Sequence, residues 1–208
     1  HGSFGQYFDG PNTLDYSNNL AVLELQNLAN MKHLQKVVLL QLIAQLQTEC
    51  YMGDRDQRKV IIVDEAWELF EDPVCAKFLE GAYRKFRKYN SAIVIITQSL
   101  ADLYNSEAGA AISSNSANTM VLRQKRSSID DLEKTGRFNV GDYGFEMLRS
   151  LNTEKGKYAD VFLMSGESWG VGRFVVEPVS QLLYSTAPED VTKIKSLTDT
   201  GLSVVGAI

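Results

Sequence analysis

The segment Lys59-Val-Ile-Ile-Val63, followed at once by Asp64-Glu65, constrains this chain more than any other stretch. A run of β-branched side chains offers solvent no polar face, so it reads as a strand covered on both sides, as in a parallel sheet. Two carboxylates are then delivered to the carboxyl end of that strand, the edge where open α/β sheets bind ligands. Ala92-Ile-Val-Ile-Ile96 is a second such run, and Ala117 to Leu122 a third strand candidate. Crossovers of roughly 20 to 30 residues between them give the rhythm of βαβ units, which predicts an α/β fold with a mostly parallel sheet flanked by helices.

The intervening segments fit that scheme. Lys32 to Cys50 carries apolar residues at helical spacing, and Asp72-Pro73 is a natural start for a helix whose apolar positions are 74, 78, 82 and 86. A helix is expected from Leu100 into the 110s, short helices from Ser127 to Leu151, and a hairpin of Tyr158–Met164 with Gly172–Val176 around Gly166 to Gly170. Pro178 to Tyr184 and Pro188 to Leu197 read as terminal helices. Leu20 to Leu25 reads as a further short strand, and the preceding residues as an irregular lead-in in which His1-Gly2-Ser3 resembles a tag or cleavage scar.

Composition removes several function classes. The 208 residues carry 21 Lys plus Arg against 26 Asp plus Glu, a net charge of -5, which argues against a generally basic nucleic-acid coat. No apolar run approaches the roughly 18 residues needed to cross a bilayer, so no integral membrane segment is expected and the chain reads as cytoplasmic. Two isolated cysteines and two histidines, His1 and His33, supply neither a disulfide framework nor a three-histidine metal site.

Adjacent acids after an apolar strand suit nucleotide hydrolysis. One acid, Asp64, can hold the water shell of a magnesium ion, while the next, Glu65, polarises the attacking water, the arrangement called Walker B with a catalytic glutamate. A strand ending in an acidic helix cap would give the same letters. Arg87 lies on the segment before the second strand and Gln98 eleven residues further on, at its tip. An arginine there can stabilise charge on a transferred phosphoryl group in a neighbouring subunit, and a glutamine can sense the γ-phosphate; both also fit a solvated surface. Arg123-Gln124-Lys125-Arg126 forms a basic cluster at the tip of the third strand. The pattern Gly-x-x-x-x-Gly-Lys-Ser/Thr does not occur, and the nearest Gly156-Lys157 is followed by Tyr158. Without that cradle of N–H groups phosphate affinity should be poor, as expected of a fragment carrying half of an NTPase site.

Ile61-Ile-Val-Asp-Glu-Ala-Trp67, Arg87-Lys88, Ile95-Ile-Thr-Gln-Ser99 and Leu122-Arg-Gln-Lys125, in that order, resemble the carboxyl-terminal ATPase domain of the TraC family of conjugative type IV secretion ATPases. The resemblance implies a RecA-like P-loop NTPase core over residues 18–185, incomplete at its N-terminal side, with a lead-in over 1–17 and a helix and tail over 186–208. It implies ATP and Mg2+ as cofactors and a hexameric ring that powers pilus assembly and substrate transfer. Its place would be the cytoplasmic face of the bacterial inner membrane, against channel components, with a coupling protein as a further candidate partner. Asp64 would then coordinate magnesium through water, Glu65 activate water, Arg87 act as the finger and Gln98 as the γ-phosphate sensor, with Arg123 and Gln124 in the last motif. Arg84, one turn earlier, is a rival for the finger. This chain alone would be inactive for want of the phosphate loop.

Two other readings use the same residues. One is a ring-shaped DNA pump, such as a coupling protein or translocase, against which the acidic total weighs modestly. The other is a docking module without chemistry, suggested by the missing loop and by Tyr143, Phe145 and Trp169 as exposed-looking aromatics, although core or hairpin packing accounts for them more readily.

Overall fold

The computed structural model describes residues 9–10, 19–28, 30–70, 72–104, 106–201 and 203. Most of the expected lead-in lies outside them. The chain divides into two compact units, His1–Ile96 and Thr97–Ile208.

The first unit is built on a parallel pair, β1 (Lys59–Val63) with β2 (Ser91–Ile95), in the register Lys59↔Ser91 to Val63↔Ile95. The connection runs through α2 (Trp67–Phe70), α3 (Pro73–Lys85) and a 3₁₀ turn, Phe86–Tyr89, while α1 (Lys32–Met52) precedes the pair. Leu34, Leu42 and Cys50 of α1 and Cys75, Phe78 and Leu79 of α3 are buried, and α1 packs on α3. Tyr51 stands edge-on to both Phe86, at 5.5 Å, and Tyr89, at 4.9 Å.

Two expectations change here. Leu20 to Leu25 is not a strand; Leu20 is 79% and Val22 73% exposed, and with no pairing strand among the described residues the segment has no ladder to join. The β1–β2 pair is covered on one face only among the described residues: Ile61, Val63, Ile93 and Ile95 are half-buried, but Val60, Ile62, Val94 and Ile96 are exposed. The helices of this unit supply a single layer, which can shield only alternate residues of a strand.

The second unit centres on β5 (Tyr158–Ser165), which pairs antiparallel with β3 (Asn118–Leu122), β4 (Thr153–Glu154) and β6 (Ser168–Phe174). The third strand thus has an antiparallel partner, where the βαβ rhythm suggested a parallel one. Hydrophobic run length marks a strand but carries no information on the direction of its neighbour. The helices are α4 (Leu100–Tyr104), α5 (Glu107–Asn115), α6 (Arg126–Thr135), α7 (Gly141–Ser150), α8 (Pro178–Leu183) and α9 (Pro188–Thr198). The single helix expected from Leu100 is two, because the Ser106 hydroxyl caps α5 by accepting from Gly109 N at 2.9 Å.

The core of this unit is aromatic. Phe138 lies edge-on to Tyr104 and Phe145, and Phe162, fully buried, stacks on Trp169 with centroids 5.0 Å apart. Phe145 is buried and Trp169 is packed against the core, so of the three surface aromatics only Tyr143 is well exposed. Asp160, also buried, accepts from Asn152 N at 3.1 Å and from Arg173 Nε at 2.8 Å, and the arginine holds its carboxyl below the usual range.

One cap fixes where α3 starts. Asp72 Oδ1 accepts from Val74 N at 2.9 Å and Cys75 N at 3.2 Å, and Oδ2 pairs with Lys36 Nζ of α1 at 2.7 Å. The bond from Lys36, joined by those backbone donors, lowers the Asp72 pKa from 3.8 to about 2. A carboxylate with a depressed folded-state pKa contributes stability that is complete above its unfolded value and is lost as pH falls through the folded one. Asp72→Ala is therefore expected to cost about 1 kcal/mol near neutral pH. In urea melts the gap from the parent should narrow as pH falls from 4 towards 2; a gap constant over that range would separate the cap from the ionised carboxylate.

Candidate functional site

The turn after β1 is stapled to the end of β2. Ile96 N donates to Val63 O at 2.9 Å, and Ala66 N donates to Ile96 O at 3.1 Å. Ala66 is fully buried, so the turn cannot peel away without exposing it. Between these anchors Asp64 and Glu65 are both exposed, at the carboxyl end of a parallel strand. Asp64 Oδ1 accepts from Glu65 N at 3.0 Å. Glu65 has φ 51, a left-handed backbone on a residue with a Cβ, which costs on the order of 1 to 3 kcal/mol and persists only where the surroundings dictate it.

This donor set matches magnesium in one specific manner. Among the described residues no group of three or more His, Cys, Asp or Glu gathers into a metal cage. A single exposed carboxylate suits an ion that keeps most of its water and takes its other ligands from phosphate. Asp64 would be the residue to hold it.

Arg87 lies at the other end of the pair, on the 3₁₀ turn that leads into β2. Five residues of strand separate the two ends, about 15 Å at the usual rise. Arg87 thus does not reach the carboxylates of its own strand pair. It is exposed and, among the described residues, forms no ion pair, whereas Arg84 is tied to Glu80 at 2.8 Å. Gln98, Arg123 and Gln124 belong to the second unit. Gln98 is exposed in the extended stretch before α4, whose start is capped by the Ser99 hydroxyl accepting from Ala101 N at 3.1 Å. Arg123, exposed, and Gln124, half-buried, follow β3 and precede α6, which packs on α4.

An open groove of about 990 Å³ in the second unit is lined by Tyr104, Ser106, Arg137, Phe138, Trp169 and others, and contains none of these candidates. Sequence reasoning also passed over Asn90. This residue has φ 53, and the signal was its type, because Asn is among the few residues enriched in left-handed backbone.

A family model described as the TraG P-loop domain matches residues 1–208. The chain belongs to the TraG P-loop domain family. Protein TraC of Escherichia coli is 27% identical over 218 residues, spanning 100% of this chain and 25% of that protein. The type IV secretion system protein CagE of Helicobacter pylori is 26% identical over 150 residues, 71% of this chain and 15% of that protein. The chain therefore spans about a quarter or less of the length of these relatives. The structure of VirB4 of Thermoanaerobacter pseudethanolicus superposes with a TM-score of 0.62 at 22% identity, covering 84% of this chain and 46% of that one. The fold of this TraG P-loop domain is accordingly RecA-like α/β.

The left-handed backbone at Glu65 can be tested apart from its carboxylate. Glu65→Gly is expected to leave stability unchanged or to raise it by about 1 kcal/mol, since glycine meets no Cβ penalty there. A clear loss of stability in urea melts would show that the Glu65 side chain, rather than its anchored neighbours, holds the turn.

Proposed function

We propose that this chain is the hydrolysing half of an ATP-driven motor of type IV secretion, a hexamer in the full-length protein that powers pilus assembly and substrate transfer. The observation that carries this reading is the pair of exposed carboxylates, Asp64 and Glu65, at the carboxyl end of β1 in a TraG P-loop domain. Support for the secretion setting comes from the names of the relatives TraC and CagE.

Asp64 would hold the water shell of magnesium, and the ion, when bound, neutralises charge on the β- and γ-phosphates. Glu65, exposed on the left-handed turn, would orient and deprotonate the attacking water. Arg87, at the far end of its own strand pair, would serve the nucleotide of the next subunit, and its lack of an ion pair among the described residues favours it over Arg84 for that role. Gln98 would sense the γ-phosphate, with Arg123 and Gln124 as further contacts. No helix among the described residues is long and apolar enough to cross a membrane, which suits attachment to the inner-membrane channel from the cytoplasmic side. The docking-module reading loses support, because Phe145 and Trp169 serve the core of the second unit.

In the full-length protein, Glu65→Gln is expected to retain ATP affinity while turnover falls on the order of 100-fold or more. Steady-state hydrolysis alongside equilibrium binding of an ATP analogue with magnesium checks this. Turnover at the parent rate would remove Glu65 from the chemistry. The 208 residues alone, with no glycine-rich phosphate loop in their sequence, are expected to bind the analogue poorly. Salt-dependent binding of the full-length protein to duplex DNA would instead favour a DNA pump.

A further inference from the structure

The amino end of the β1–β2 pair is organised around one side chain. Asn90 closes the Phe86–Tyr89 turn in a left-handed conformation, φ 53 and ψ 30, with its N–H donating to Phe86 O. Its carbonyl accepts from Lys59 N at 3.2 Å, which extends the strand ladder by one bond. Its amide Nδ2 donates to Arg55 O at 3.1 Å and reaches Asp56 O at 3.5 Å. A single residue therefore ties the loop after α1 to the turn that carries Arg87.

Other contacts stiffen the same assembly. The Arg55 guanidinium lies over the Tyr89 ring, 5.0 Å from its centroid. Lys59 Nζ donates to Asp54 O at 2.5 Å, and Asp54 Oδ1 accepts from Asp56 N at 2.9 Å. Arg55, Arg58, Arg87 and Lys88, all exposed, thus belong to two segments fastened at one end of the sheet, the first of which also carries the acids Asp54 and Asp56. The carboxylates Asp64 and Glu65 stand at the opposite end of the same two strands. The strand pair is thereby polar, cationic at its amino end and anionic at its carboxyl end. Such a pair is complementary head to tail with a second copy of itself, the geometry of a heterologous contact that can close into a ring.

We propose that Asn90 is a positioning residue, fastening Arg55 and Arg87 into one cationic surface that meets the triphosphate held by a second copy of this chain. This rests on the reading of Arg87 given above. Asn90 touches no substrate; it acts through the backbone of Arg55 and Asp56 and through the turn bearing Arg87. An arginine on a turn that wanders relative to its loop loses orientation, and the loss falls on the transition state rather than on ground-state nucleotide affinity.

The test uses the full-length protein with three variants. Asn90→Gly keeps the left-handed backbone and removes the amide; Asn90→Asp keeps shape and backbone but sets a carboxylate against two carbonyls. Both are expected to lower kcat about tenfold while KM for ATP stays within about twofold. A purely structural defect is separated by mixing: Asn90→Gly subunits, with a complete site of their own, are combined with Glu65→Gln subunits, with an intact Arg87 surface. Recovery of hydrolysis above the sum of the two alone is expected, because the Glu65→Gln copy lends its arginine to its neighbour. No recovery, or parent-like kcat in both Asn90 variants, would overturn the proposal. Arg87→Ala tells this failure from the other: if it hydrolyses ATP at the parent rate, the reading of Arg87 itself is wrong, and if it is impaired while the Asn90 variants are not, only Asn90 is misassigned.

Discussion

The parallel register of β1 on β2 governs the rest of the site. It is continued past both strands by backbone bonds, Lys59 N to Asn90 O at one end and Ile96 N to Val63 O with Ala66 N to Ile96 O at the other. A parallel ladder fixes both strand ends at once, since each bond constrains the next. Shifting the register by one residue would turn Ile61 and Val63 outward and would unseat Ala66 from its buried place. The exposure of Asp64 and Glu65 and the seating of Arg87 are consequences of the same set of bonds.

Strain and burial act together at the carboxyl end. Glu65 accepts a left-handed backbone because the residue after it must bury a methyl group and donate to Ile96, while the residue before it must finish the ladder. The intervening peptide has one route between these fixed points. Asp64 Oδ1 accepts from Glu65 N, which spends one of its oxygens on the turn. Among the described residues Asp64 would thus offer magnesium one carboxylate rather than a closed cluster, as suits an ion that arrives with its nucleotide.

Much of this was legible in the residues, and the gaps have physical causes. The apolar runs at 59–63 and 92–96, the Asp72 cap before Pro73 and the first strand of the hairpin from Tyr158 declare themselves through residue type and local hydrogen-bonding chemistry, while the second hairpin strand, Ser168–Phe174, begins inside the turn expected over Gly166 to Gly170. Which faces of β1 and β2 are covered did not, because a continuous apolar run records the need for burial and not the number of layers that meet it. The direction of β3 was hidden for a related reason: its partner β5 lies some 40 residues away, and pairing across that separation leaves no mark on either strand alone. At the candidate site, residue type and spacing pointed to Asp64, Glu65 and Arg87. The separation of the carboxylates from the arginine follows from the parallel pairing of β1 and β2, with the turn Phe86–Tyr89 at the amino side of β2.

That separation bears on how a motor of this design could work. Were the arginine and the carboxylates at one strand end, a single subunit could complete its own site and hydrolysis would need no neighbour. With five residues of ladder between them, the proposed site would be completed only by another copy, and a shift between copies would move the arginine relative to the water that Glu65 would hold. The sheet transmits such a shift without absorbing it, because its two ends are joined by paired backbone bonds rather than by side chains free to change rotamer. In that proposal the paired residues of β1 and β2 would carry the coupling, and the loop at Asp54 to Arg58 and the turn at Phe86 to Tyr89 are tied together by Asn90.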